Sequence, residues 1–169
     1  RTPLVAMITR LVPNKGIDLV TRVIDEMLEH ENMQFVLLGT GEHDYEEWFK
    51  ELAWRHPTKA SVNIRFSNQL AQRIYAGSNL FLMPSTFEPC GLGQLIAMRY
   101  GSIPVVRETG GLKDTVVQFD RAEPDKGNGF LFYEYNAHEM MYAVKRALAA
   151  YENLREWRQL VYAAMSSDF

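Results

Sequence analysis

The sequence predicts an α/β fold, an open parallel sheet of about six strands with helices on both faces, on three observations. Short apolar runs alternate with helix-period segments along the whole chain, and strands joined through crossover helices pair in parallel. The runs are apolar almost throughout rather than every second residue, as in strands buried on both faces. Several of them also exit into glycine-bearing loops, and an open parallel sheet binds its ligands at such exits.

Taken in order, Leu4 to Ile8 is the first buried strand, and Gly16 to His30 sets Ile17, Val20, Ile24 and Met27 on one helix face. Gln34 to Leu38 is the second strand, leaving through Gly39-Thr40-Gly41. Asp44 to Arg55 is a helix with Tyr45, Trp48, Phe49 and Leu52 inward and Pro57 as its stop. Ser61 to Phe66 is the third strand, Gln69 to Ala76 a short helix, and Asn79 to Met83 the fourth strand. A helix from about Leu92 to Tyr100 and a strand from Ile103 to Val106 follow. After a charged, glycine-rich loop (Asp120 to Gly129) come a strand at Phe130 to Phe132 and helical sequence from Ala137 to about Met165.

A chain of 169 residues with 47% apolar content makes one domain with a sizeable core. It starts Arg1-Thr2-Pro3 directly before a strand, without Met, which predicts a larger parent protein. One cysteine excludes an internal disulfide and a cysteine-built zinc site. Without a sequon, a signal peptide or an apolar run near the roughly 20 residues of a membrane span, the expectation is a soluble cytoplasmic protein with no membrane partner. The net charge of −3 and the lack of a basic cluster argue against nucleic acid.

Several familiar signatures fail. Gly39-Thr40-Gly41 has Asp44 where a dinucleotide fingerprint needs its third glycine. His138-Glu139-Met140-Met141-Tyr142 lacks a second histidine and reads as a helix start with Met141, Val144 and Leu148 as core. No Asp-x-Asp pair is present to hold a divalent ion against a diphosphate. No metal and no cofactor is therefore expected, and any anionic ligand must find its positive charge in the chain itself.

The stretch Pro84 to Asp114, PSTFEPCGLGQLIAMRYGSIPVVRETGGLKD, is the richest in chemistry. A strand runs out into Pro-Ser-Thr, passes Glu88 and enters a helix through Cys90-Gly91-Leu92-Gly93. Such a corner leaves backbone N–H groups unpaired, and glycine lets a ligand approach them. A second pair, Gly110-Gly111, follows the next strand after Thr109. Arg10 and Lys15 flank the first strand-to-helix loop and can project over the carboxyl edge of the sheet, although on the residues alone they also read as solvated loop charges. Phe66 reads as a core ring or a base platform, and Glu88 as a helix cap or a site carboxylate. Cys90 near a helix N-terminus invites a reactive-thiol reading, with a small packing residue as the plainer one. Thr109, Gly110 and Gly111 read as backbone donors or as a tight turn.

The strings STFEPCGLGQLIAMRYG and PVVRETGGLKDTV resemble the donor-nucleotide half of bacterial glycogen synthases and plant starch synthases, over roughly the whole chain. The resemblance implies the second, Rossmann-like domain of a two-domain GT-B glycosyltransferase, spanning residues 1–169 as one domain beside an N-terminal domain of the same polypeptide. It implies ADP-glucose as donor, ADP as product, an α-1,4-glucan as acceptor, retention at the anomeric carbon, and a plastid location if the source is a plant. By the same resemblance Arg10 and Lys15 contact the diphosphate and Phe66 packs on adenine. Glu88 contacts the transferred glucose, while Cys90, Gly91, Leu92, Thr109, Gly110 and Gly111 line the donor through their backbones. Many retaining transferases of this fold carry a second glutamate, for ribose, where this chain has Ile96. An inactive nucleotide-sugar-binding regulatory module is the alternative from another class. A sucrose synthase or mannosyltransferase-type enzyme is the neighbouring one, and the isolated domain is expected to be inactive.

Overall fold

The computed structural model describes all 169 residues. Six strands, β1 (Leu4–Ile8), β2 (Gln34–Leu38), β3 (Ala60–Asn63), β4 (Leu80–Met83), β5 (Ile103–Arg107) and β6 (Phe130–Phe132), form one sheet in the order β3-β2-β1-β4-β5-β6. Every pairing is parallel, so each strand's carboxyl end lies at the same edge. The chain builds outward from β1 in one direction through β3, then returns to place β4 on β1's other side, pairing Val5 with Leu80 and Ala6 with Phe81. The order reverses between β1 and β4, the position at which an open parallel sheet carries its ligand crevice.

Period-two burial distributes the strand residues to the two faces. Val5, Met7, Phe35, Leu37, Leu80 and Leu82 join the larger core with helices α1 (Ile17–His30), α2 (His43–Arg55) and α6 (Ala137–Glu152). Ala6, Val36, Leu38 and Phe81 face the smaller cluster with α3 (Asn68–Gly77) and α4 (Gly93–Arg99). The expected α1 stripe is buried, and Leu19, Val23 and Leu28 widen it. In α2, Phe49 and Leu52 are buried while Tyr45 and Trp48 pack on the core from its margin. No helix is long and apolar enough to cross a membrane.

Three elements differ from the sequence expectation. β3 ends at Asn63, not Phe66, because its only neighbour, β2, stops at Leu38, which pairs with Asn63. The Gly39 amide then closes on the Asn63 carbonyl at 3.1 Å, so residues 64–66 have no ladder to continue. The long C-terminal helix divides at Asn153, whose side chain accepts from the Glu156 amide and caps α7 (Leu154–Met165). Asx side chains favour caps over helix interiors for this reason. A short helix, α5 (Gly110–Thr115), begins at the glycine pair read as a turn.

Candidate functional site

The crevice at the β1–β4 reversal is held together by glycine and by backbone bonds. After β1 the chain makes a 3-10 turn at Pro13–Lys15, and Gly16 ends it in the left-handed region at φ 75°. A Cβ on Gly16 would lie 2.1 Å from the Pro84 carbonyl oxygen, so only glycine lets the two loops meet. Thr86 completes the junction: its amide and its hydroxyl both donate to the Asn14 carbonyl, at 3.1 and 2.9 Å.

This contact brings two of the site's charged residues face to face. Lys15 Nζ lies 2.6 Å from Glu88 Oε1, and Ser85 Oγ donates to the same oxygen at 2.9 Å. The Glu88 carboxylate is buried, and Lys15 half-buried. The helix-cap alternative for Glu88 is set aside, since α4 is capped by Leu92 without any side-chain bond. A cleft of about 280 Å³ opens beside the pair, lined among others by Arg10, Lys15, Ser85, Glu88, Gly91 and Leu92. Arg10 is exposed, and its guanidinium bonds nothing in the chain.

Gly91 takes φ 68°, and the amides of Gly91, Leu92 and Gly93 find no acceptor in the protein, so the corner presents the free donors that its sequence predicts. Cys90 is exposed, and its carbonyl accepts from Gln94 Nε2 at 3.3 Å. Gln94 itself is buried with Oε1 unpartnered. Ile96, 40% exposed, forms part of the cleft wall.

The glycine pair of α5 serves the other side of the Glu88 loop. The Gly111 amide donates to the Glu88 carbonyl at 2.7 Å, so it is committed to the protein and is not a free donor. Cβ atoms on Gly110 and Gly111 would fall 2.0 and 1.9 Å from the carbonyl oxygens of Glu88 and Cys90. The amides of Thr109 and Gly110 stay unpaired. Phe66, Thr109, Gly110 and Gly111 do not line the 280 Å³ cleft. Phe66 stands beyond β3 with 86% of its surface exposed, which removes the core reading of that ring. Ser85 is a site residue that the sequence reading does not name, although the Pro-Ser-Thr turn holds a signal for it. No group of three or more His, Cys, Asp and Glu side chains is placed to hold a metal ion.

Comparison with known proteins fits this geometry. The chain is 52% identical over 168 residues to a glycogen synthase of Bacillus cereus strain Q1, an alignment covering 99% of this chain and 35% of that protein. It is 52% identical over 167 residues to a glycogen synthase of Clostridium acetobutylicum, covering 98% and 35%. Among solved structures, the catalytic domain of starch synthase IV from Arabidopsis thaliana, bound to ADP and acarbose, superposes with a TM-score of 0.90 at 41% identity, covering 99% of this chain and 35% of that one. The chain thus spans about a third of the length of the curated relatives it matches, and the expected Rossmann-like sheet of a GT-B glycosyltransferase is borne out. The model of the group 1 glycosyl transferases matches residues 1–163, and the chain belongs to that family.

Proposed function

We propose that this chain is the donor-binding domain of a retaining hexosyltransferase, a glycogen or starch synthase, that carries glucose from ADP-glucose to the non-reducing end of an α-1,4-glucan. The single observation that carries the reading is the Lys15–Glu88 contact at the sheet's reversal point, 2.6 Å across, in a chain half identical to proteins named glycogen synthase. A cation and a carboxylate in contact suit two adjacent parts of one ligand, a phosphate and the sugar attached to it. The ADP and acarbose bound to the starch synthase support the same substrate classes. An N-terminal domain of the same polypeptide supplies the acceptor side, and the cytoplasm is the place of work.

In this mechanism the incoming diphosphate takes Lys15 from Glu88, with Arg10 as the second cation and the free amides of Gly91 and Leu92 as further donors. Glu88, kept in place by Ser85, then faces the sugar. The bond from the anomeric carbon to the phosphate oxygen breaks, and its electron pair leaves with ADP. Lys15 and Arg10 stabilise that charge, while Glu88 stabilises the positive charge developing on the sugar ring. The acceptor hydroxyl forms its bond on the face the phosphate leaves, which gives retention, and the departing phosphate is the nearest base for its proton. No metal or cofactor enters the reaction.

Calorimetric titration of the chain with ADP and with UDP tests the donor assignment, with tighter binding of ADP expected. Equal or tighter binding of UDP would contradict it. Phe66 is the proposed adenine platform: removing an exposed ring changes stability by less than about 0.5 kcal/mol, whereas base–aromatic stacking contributes about 1–3 kcal/mol. Phe66→Ala is therefore expected to unfold like the wild type and to bind ADP more weakly. Unchanged ADP affinity would remove Phe66 from the site.

A further inference from the structure

Arg107, the last residue of β5, has no carboxylate partner. Its guanidinium donates instead to three backbone carbonyls on two loops: Nε to Ser85 at 2.9 Å, Nη2 to Thr86 at 2.6 Å and Nη1 to Tyr133 at 2.8 Å. Its carbon centre lies 5.7 Å from the centre of the Tyr135 ring, and the Tyr135 hydroxyl donates to Asp18 Oδ1 of α1 at 2.5 Å. A planar fork of fixed donors is suited to such a task, because it bonds several acceptors at once without moving. Carbonyls that lead out of a strand have no ladder to hold them, and an arginine gives them charge-assisted partners.

Both carbonyls taken from the β4 exit belong to residues that touch the site. Ser85 bonds Glu88 Oε1 through its hydroxyl, and Thr86 bonds Asn14, next to Lys15. On the reading that Glu88 meets the transferred sugar, we infer that Arg107 is a positioning residue, setting Glu88 against the donor through Ser85 and Thr86. It does so from outside the cleft, which it does not line. Tyr135 and Asp18 anchor the guanidinium in turn to α1, so the loops after β1, β4 and β6 share one brace.

The test is a double-mutant cycle on turnover in the full-length protein, comparing wild type, Arg107→Ala, Glu88→Gln and the pair, with ADP-glucose and glycogen as substrates. A displacement of about 1 Å at a reacting group lowers rate by roughly 100-fold, and a loss of that order is expected for Arg107→Ala in the wild-type background. In the Glu88→Gln background the same change is expected to lower turnover by less than about threefold, since it acts through Glu88. Added guanidinium should restore Arg107→Ala, and methylammonium should not. Where the alanine variant fails to fold, Arg107→Lys takes its place in the cycle, because one ammonium cannot bond three carbonyls on two loops. Equal losses in both backgrounds, or turnover near wild type, would overturn the proposal. A wild type that transfers no glucose would instead refute the proposed function on which it rests.

Discussion

Lys15→Ala in the intact transferase is expected to lower turnover by about 10²–10³-fold, the effect of removing a preorganised charge that acts on the leaving group. The ion pair makes the expectation for binding more specific. Lys15 is the only cation within salt-bridge distance of Glu88, so its removal leaves a buried carboxylate beside the proposed diphosphate site. ADP affinity should fall by more than one lost contact. Glu88→Ala reverses the sign: it frees Lys15 for the diphosphate, and ADP, which carries no hexose, should bind as well as before or better while turnover collapses. Dissociation constants and turnover for both variants measure this. An equal loss of ADP affinity in the two would take Glu88 away from the sugar.

The second large effect belongs to backbone. Gly16→Ala places a methyl 2.1 Å from the Pro84 carbonyl oxygen and asks alanine to hold φ 75°. Left-handed backbone disfavours alanine by roughly 1 kcal/mol, and the steric overlap adds about 1–3 kcal/mol. The variant is therefore expected to lose about 2–4 kcal/mol of stability in denaturant unfolding, and what remains folded should be poor in turnover, because the β1 and β4 loops no longer meet. Stability and turnover both near wild type would show that the close approach of these loops is unnecessary.

What the sequence made legible follows from the range of the forces concerned. The six strands and their parallel pairing are readable because apolar runs and helix periods are local, and the Cys90–Gly93 corner because glycine at a strand exit frees backbone donors. Lys15 and Glu88 are singled out by the family resemblance, since on the residues alone they also read as a solvated charge and a helix cap. The overrun of β3 is not readable, since its end depends on where β2 stops. The start of α5 at Gly110 was hidden for a similar reason. Glycine is a poor helix former, and it is required here by the Glu88 and Cys90 carbonyls, which no local pattern contains. Gly111 was expected to donate outward, yet its amide is taken by Glu88 at 2.7 Å. Arg107 escaped notice because three carbonyls, not a motif, define its role. From pattern alone Phe66 reads first as a core ring, and its exposure, 86%, overturns that reading.

The proposed transfer is measured most directly as incorporation of labelled glucose into glycogen, comparing ADP-glucose with UDP-glucose, for the full-length protein and for the 169-residue chain alone. The full-length protein is expected to elongate glycogen with ADP-glucose preferred, through α-1,4 linkages, and the isolated chain, without the proposed N-terminal acceptor domain, is expected to transfer nothing. Full-length protein that leaves glycogen unlabelled with ADP-glucose, or an isolated chain that elongates it at a comparable rate, would overturn the proposed function.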